Sequence, residues 1–405
     1  MSETKEFLKK RHRLAVILFI LGCCLLVGVN AAQAQAASDT PIYYQGRTIG
    51  YYNDAGQIEY VPSPDGNLNY KALTYLITGN KQKTIIIPSG ASIYINGPLK
   101  PGSNTTIIAQ GATITVKKKS NAIFTEPNRK ITNLSIIGGT WRSADAGGRT
   151  GSLFVFAHAS NVMMDGVDCN ANYKGHTIEI IACSNVTIQN CVVSAIGSCP
   201  AKCLEEQIQV DIATKKTSPK ISSYGKKYVK GQTCKNIYIL NNQVSGARAV
   251  GVNWTSSEKG KWRGKYHKNI VISGNTLTSS TSEGLAYFNV IGGKITNNTI
   301  ITYAKRKDSN SSYTIGVHVA VFGKAPKSLA KSKLEISNNT IKGRRNGIYL
   351  KGYFNKKETK CLAKLGKVYV KNNQIYCKKG KKNSVKQTKK SCKKLKKSGN
   401  KYYKW

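Results

Sequence analysis

Ile295-Thr296-Asn297-Asn298-Thr299-Ile300 and, 41 residues later, Ile336-Ser337-Asn338-Asn339-Thr340-Ile341 carry the pattern that decides the fold. An apolar residue is followed by a polar one, then by Asn or Gly, and an apolar residue closes the motif. Five further copies read Met164-Asp165-Gly166-Val167-Asp168-Cys169, Ile188-Gln189-Asn190-Cys191-Val192-Val193, Ile239-Leu240-Asn241-Asn242-Gln243-Val244, Ile272-Ser273-Gly274-Asn275-Thr276-Leu277 and Val370-Lys371-Asn372-Asn373-Gln374-Ile375. The seven copies are 23 to 51 residues apart. Asn and Gly tolerate the left-handed backbone that a sharp bend between two short strands demands. Stacked bends place Asn above Asn, where side-chain amides bond along a ladder, and the flanking Ile, Val and Leu stack as an apolar column. Irregular spacing with a constant motif means coils of constant cross-section with loops of different length. The expected fold is an all-β, right-handed parallel β-helix.

Working outward, a second set of short strands precedes the motifs and begins at Phe154, Ile178, Ile208, Val250, Leu285, Val317 and Ile348. These are expected to form a second parallel sheet. Upstream, Leu68, Ala72, Leu73, Leu76 and Ile77 have helical spacing, which predicts a short capping helix over the open end of the solenoid. The expected divisions are a signal peptide at 1–36, an N-terminal extension at 37–66 with a small strand pair, the β-helix at 67–377, and a lysine-rich C-terminal tail at 378–405. The tail holds thirteen lysines, so it reads either as a solvated segment or as an electrostatic arm.

The leader rests on Lys9, Lys10, Arg11 and Arg13, then an apolar run from Leu14 to Val29, then small-x-small sites at Ala32-Gln33-Ala34 and Ala34-Gln35-Ala36. An uncleaved membrane anchor is the alternative, because the run is near the lower length for a span. The protein is therefore expected to be secreted or cell-surface associated, and monomeric. The formal charge of +44 recruits polyanions. Outside the cell these are acidic polysaccharides and cell-wall polymers, so nucleic acid is not the expected partner. Nine cysteines follow the leader. Cys199 and Cys203 share a loop and are the expected local pair, whereas Cys169, Cys183 and Cys191 read as buried single thiols inside coils.

The helix, Ile85-Ile86-Ile87-Pro88-Ser89-Gly90, Gly138-Gly139-Thr140-Trp141 and the Asn-rich coils together resemble the pectin-lyase-like superfamily over residues 67–377. Within it the chain is most similar to polygalacturonase-type glycoside hydrolases. That family places Asn-Thr-Asp, Asp-Asp, Gly-His-Gly and Arg-x-Lys just before successive strands. The matching segments here put His176 at the position of the first Asp, Glu205 and Glu206 at the Asp pair, and Arg248 at the His. Only the paired acids keep the family's charge, so the resemblance implies a place for a site rather than a mechanism.

Coils lie about 4.8 Å apart, so residues at one register form a ladder. At this register it reads Ser152, His176, Glu206, Arg248, Glu283, Ile315 and Asn346. Acids are few in the chain, and Glu205, Glu206 and Glu283 fall together. Glycosidases use two carboxyls, about 5–5.5 Å apart for retention or about 6.5–9.5 Å apart for inversion. Glu205 or Glu206 is the expected acid, His176 or another carboxylate the base, and Arg248 a clamp on a substrate carboxylate or a helper in lyase chemistry. Glu179, Gln209, Asp211 and Asn253 have outward parity and are expected to line a groove, with Trp254 and Trp262 as sugar-stacking walls. The cluster also suits Ca2+. The competing reading makes Glu206–Arg248 and Arg248–Glu283 plain cross-coil ion pairs on a non-catalytic surface solenoid that binds wall polymers or glycans.

Overall fold

The left-handed bends demanded by the motif are present in the computed structural model, which describes residues 40–117, 120–144, 152–173, 175–201, 203–252, 264–305, 314–355, 357 and 360–405. Asn190, Asn241, Asn297, Asn338 and Asn372 have φ between 53° and 58°, and Gly166, Gly274 and Gly399 hold the same place with φ of 64° to 73°. Each bend passes the chain from one parallel sheet to the next. The sheets have fourteen, eleven and nine strands among the described residues, and each coil between Thr105 and Gln387 contributes one strand to each in turn. One coil, for example, runs Ser160–Asp165, Asp168–Asn172 and Ile178–Ile181. The fold is a right-handed parallel β-helix. It has three sheets rather than the two expected, because the motif is itself a corner whose two arms belong to different sheets.

Ile136, Met164, Ile188, Ile239, Ile272, Ile295, Ile336 and Val370 stack as one fully buried column of the first sheet. Each such side chain contributes about 1.5–3 kcal/mol by leaving water. A polar column runs beside it. Asn242, Asn275, Asn298 and Asn339 each direct backbone N–H and side-chain Nδ2 to the Oδ1 of the next Asn at 2.8–3.0 Å, and Asn373 does the same to Asn400. The second Nδ2 hydrogen reaches a carbonyl one coil away, as from Asn298 to Ile272 at 2.9 Å. The amides of this ladder thereby satisfy one another and the neighbouring backbone.

The predicted cap is α1, Gly66–Ile77, with Ala72, Leu73, Leu76 and Ile77 buried and Asp65 accepting from the Asn67 N–H at 2.8 Å. The extension before it carries a strand pair, Arg47–Tyr52 antiparallel to Ile58–Tyr60, at the edge of the first sheet. Thr40–Tyr44, Arg47–Tyr52 and Ile58–Tyr60 add three strands to the first sheet. The expected tail at 378–405 is also structured. Val385–Gln387, Cys392–Ser398 and Lys401–Lys404 continue the third, first and second sheets, so the lysines decorate a last coil. Alternation explains this, since Leu395 and Tyr402 turn toward the core between exposed lysines.

Cys169, Cys183 and Cys191 are buried in the coils, and burial pushes the Cys183 thiol up to about 12 and Cys191 up to about 11. Cys199 and Cys203 are not bridged; Sγ of Cys203 faces the Tyr173 carbonyl at 3.3 Å. Trp141 is fully buried, edge-on to Phe154 at 5.5 Å. Among the described residues no helix is long and apolar enough to cross a membrane. The leader lies outside the described residues.

Candidate functional site

The third sheet aligns Phe154, Ile178, Ile208, Val250, Leu285, Val317 and Ile348 at one register, all buried. Two residues earlier the chain therefore builds the predicted ladder, with Glu206 paired to Arg248 and Ile315 to Asn346. Its centre is a buried ionic relay. The Arg248 guanidinium donates to Oε1 of Glu206, to Oε2 of Glu283 at 2.8 Å and to Oγ of Ser282 at 2.9 Å. Glu283 also meets Nδ1 of His318 at 3.0 Å. Glu206, Arg248 and Glu283 are 4%, 7% and 2% exposed. Burial works against the Glu283 charge, yet Arg248 and His318 together hold its carboxyl well below the usual range. The same two glutamates hold Arg248 charged despite burial.

Gly251 makes this packing possible. A Cβ there would lie 2.5 Å from Cγ of Glu206, so only glycine leaves room for the glutamate to lie flat across the next strand. Glu206 and Glu283 are thus spent on Arg248. They do not open into a groove, and the expectation of free carboxyl groups at these two positions does not describe them.

His176 is the hinge between the relay and a cleft. Its Nδ1 donates to the Glu206 carbonyl at 2.8 Å, which turns Nε2 toward Oε2 of Glu205 at 3.5 Å. Burial opposes a charge on this imidazole, but the carboxylates of Glu206, Glu179 and Glu205 outweigh it and raise its affinity for a proton. The cleft beside it has a volume of about 280 Å3, and His176, Glu179, Glu205, Ser152, Asn121 and Lys220 supply its polar wall. The Glu205 side chain is 44% exposed. Glu179 accepts from the Ser152 hydroxyl at 2.8 Å, and desolvation raises its carboxyl above the ordinary value against the pull of His176. Lys220 donates to Oδ1 of Asn121 at 2.8 Å, and burial lowers its ammonium pKa.

Gln209 and Asp211 do not line the cleft. Both are buried on the coil next to Glu179, with Gln209 Oε1 and Asp211 Oδ2 lacking a hydrogen-bond partner among the described residues. Burial and the neighbouring Glu179 push the Asp211 carboxyl up to about 8. Asn253, Trp254 and Trp262 lie outside the described residues. One ligand atom each from His176, Glu205 and Glu206 falls within 4.8 Å of the others, close enough for a cation, but Arg248 competes for Glu206.

Sequence reasoning missed Lys220, Asn121, His318, Ser282 and Gly251. Lys220 comes from the short helix Pro219–Ser222, on the loop that makes one repeat spacing 51 residues long. That length signals an insertion but not where it folds back. His318 was legible, since the register aligns it with Glu179, Gln209 and Gly251 one row along.

No protein-family model matches the chain, and neither does any curated protein sequence. Solved structures do. The surface adhesin PfbA of Streptococcus pneumoniae is 16% identical over 84% of this chain and 91% of its own, with a TM-score of 0.49. The tailspike protein of E. coli bacteriophage HK620, in complex with a pentasaccharide, is 13% identical over 80% of this chain and 56% of its own, with a TM-score of 0.48. An endo-xylogalacturonan hydrolase from Aspergillus tubingensis is 13% identical over 85% of this chain and 91% of its own, with a TM-score of 0.46. These likenesses assign no residue of this chain a role.

Proposed function

We propose that the chain is a secreted or cell-surface carbohydrate-active β-helix that takes an acidic polysaccharide into the cleft of the third sheet and hydrolyses it there. The observation that carries this reading is the pairing of two unlike glutamates in one cleft. Glu179 is desolvated, which raises its carboxyl above the ordinary value, whereas Glu205 is half exposed beside an imidazole. A desolvated carboxyl beside a solvated one is the arrangement that supplies a proton donor and a base. Glu179 gives its proton to the leaving oxygen while Glu205, backed by His176, takes one from the attacking water. Lys220 pairs with a sugar carboxylate. Arg248 is then a positioning residue, which holds Glu206 so that its carbonyl fixes the His176 ring.

A second reading has its own support. The locking of Glu206 and Glu283 onto Arg248 leaves these acids paired within the coil rather than free for chemistry, as in a solenoid that binds the polymer without cutting it. A panel of uronic-acid polysaccharides assayed for new reducing ends and for unsaturated products separates the two. Hydrolysis predicts reducing ends without unsaturated products, and a loss on the order of 100-fold or more in Glu179→Gln. Activity undiminished in the Glu179→Gln/Glu205→Gln protein overturns the assignment. Binding with no product from the wild type supports the second reading.

A further inference from the structure

We propose that the C-terminal end of the first sheet is a docking face for a linear acidic polysaccharide, distinct from the cleft on the third sheet. The parallel register places Lys333, Lys367 and Lys394 directly beside one another on three successive strands. In the next row Tyr369 adjoins Lys396, and Lys371 follows it on its own strand. Val368 and Val370 are buried between these positions, so the lysine row faces outward. Nζ of Lys333 lies 5.1 Å from the centre of the Tyr369 ring and Nζ of Lys371 lies 5.3 Å from it. The ring thereby holds two ammonium groups in place.

Like charges directly opposite one another destabilise a sheet. Lysines do guard exposed sheet edges against stray pairing. That explains Lys394 and Lys396 on the terminal strand Cys392–Ser398, but not Lys333 and Lys367, whose strands are paired on both sides. Among the described residues the chain supplies little counter-charge to this face. Residues 365–405 contain fifteen lysines and no Asp or Glu, and Glu335, 3.4 Å from Lys333, is the acid within the face. An external polyanion is the partner that turns this repulsion into attraction. Charges repeating about 4.8 Å across the strands and about 7 Å along them suit a linear polymer with regular charges. No arginine follows Arg345, so the face offers compact hydrated charges rather than the planar forks that read phosphates and base edges. That favours a carboxylated glycan over nucleic acid. The polymer class follows the proposed function; the location does not.

The test uses the full chain and polygalacturonate, with binding measured across a salt series. Changing Lys367, Lys371, Lys394 and Lys396 together to Gln is expected to weaken binding about tenfold or more at physiological salt and to flatten the salt dependence by roughly the charges removed. The corresponding four-Arg protein retains affinity. Should the four-Gln protein fail to fold, Lys394→Gln and Lys396→Gln on the outermost strand, singly and together, are expected to weaken binding and to flatten the salt dependence by roughly one and two charges. Unchanged affinity and slope in these variants overturn the proposal, as does tighter binding of single-stranded DNA of equal charge. Glu179→Gln keeps the affinity of this face while losing cleavage, so a wild type that binds here without cutting sinks only the cleft assignment. Affinity lost in Glu179→Gln but kept in the four-Gln protein moves the docking site to the cleft and overturns the face.

Discussion

At the scale of single residues, the chemistry of the third sheet is set by what each carboxyl has beside it. Glu283 has a guanidinium and an imidazole and stays charged. Asp211 has burial, a nearby glutamate and one backbone N–H, from Ile212 at 2.8 Å. The folded protein therefore holds a proton on Asp211 that the unfolded chain releases near pH 4. Its pKa is raised on folding, so this contribution to stability is fully present below about pH 4 and is lost as pH rises through about 8. The slope approaches about 1.4 kcal/mol per pH unit across that window. Asp211→Asn cannot ionise and removes the slope. Thermal unfolding between pH 5 and 9 is expected to show the wild type losing stability relative to the variant, with the variant ahead at pH 9. Parallel curves would mean that Asp211 is ionised in the folded state.

At the scale of elements, the two rungs of the Asn-Asn pair do different work. Asn297 supplies the bend, at φ 58°, and Gly fills the same place at Gly274. Asn298 supplies the ladder, with its amide bonded to Ile272 and Asn339 and its oxygen accepting two bonds from Asn275. Asn298→Ala leaves several buried partners unbonded, at about 1–3 kcal/mol for each group that water cannot reach. Asn297→Gly is expected within about 1 kcal/mol of wild type. Urea midpoints decide it: equal effects at 297 and 298 would refute the ladder as the stabilising element. The sequence made this division half legible. Tandem Asn marked the corner and fixed the register of seven strands from Phe154 to Ile348, and with it the ladder from Ser152 to Asn346. It did not reveal the second, exposed ladder from Asn104 through Asn133, Asn161, Asn185 and Asn236 to Asn269, because single asparagines at strand starts read as ordinary turn residues. It did raise the sharing of Arg248 by Glu206 and Glu283, as the competing reading, without deciding it against free carboxyl groups. Register places three charges in a column, but only side-chain direction and a missing Cβ at Gly251 decide which of them meet.

At the scale of the whole molecule, charge and packing make opposite forecasts for removal of residues 378–405. The segment carries thirteen lysines and no acid, so its loss takes the formal charge from +44 to 44 − 13 = +31. Self-repulsion falls, and on that ground alone the truncated protein is the more stable one. The packing argument runs the other way. Val385 lies against Ile348, Leu395 against Val368 and Tyr402 against Ile375, closing the end of the apolar columns. Uncovering three or four such side chains costs several kcal/mol at about 1.5–3 kcal/mol each. The lysines are mostly exposed, and with a screening length near 8 Å at physiological salt their mutual repulsion is small beside that. Packing wins. The protein ending at Cys377 is expected to unfold at markedly lower temperature or to aggregate through its open end, as a solenoid without a terminal cap does. Raising salt raises the wild-type midpoint, where the lysines repel, without rescuing the truncated one. A truncated protein as stable as wild type at low salt would show that residues 378–405 are an appendage after all, and that the lysine rows there are not held in register by the coil.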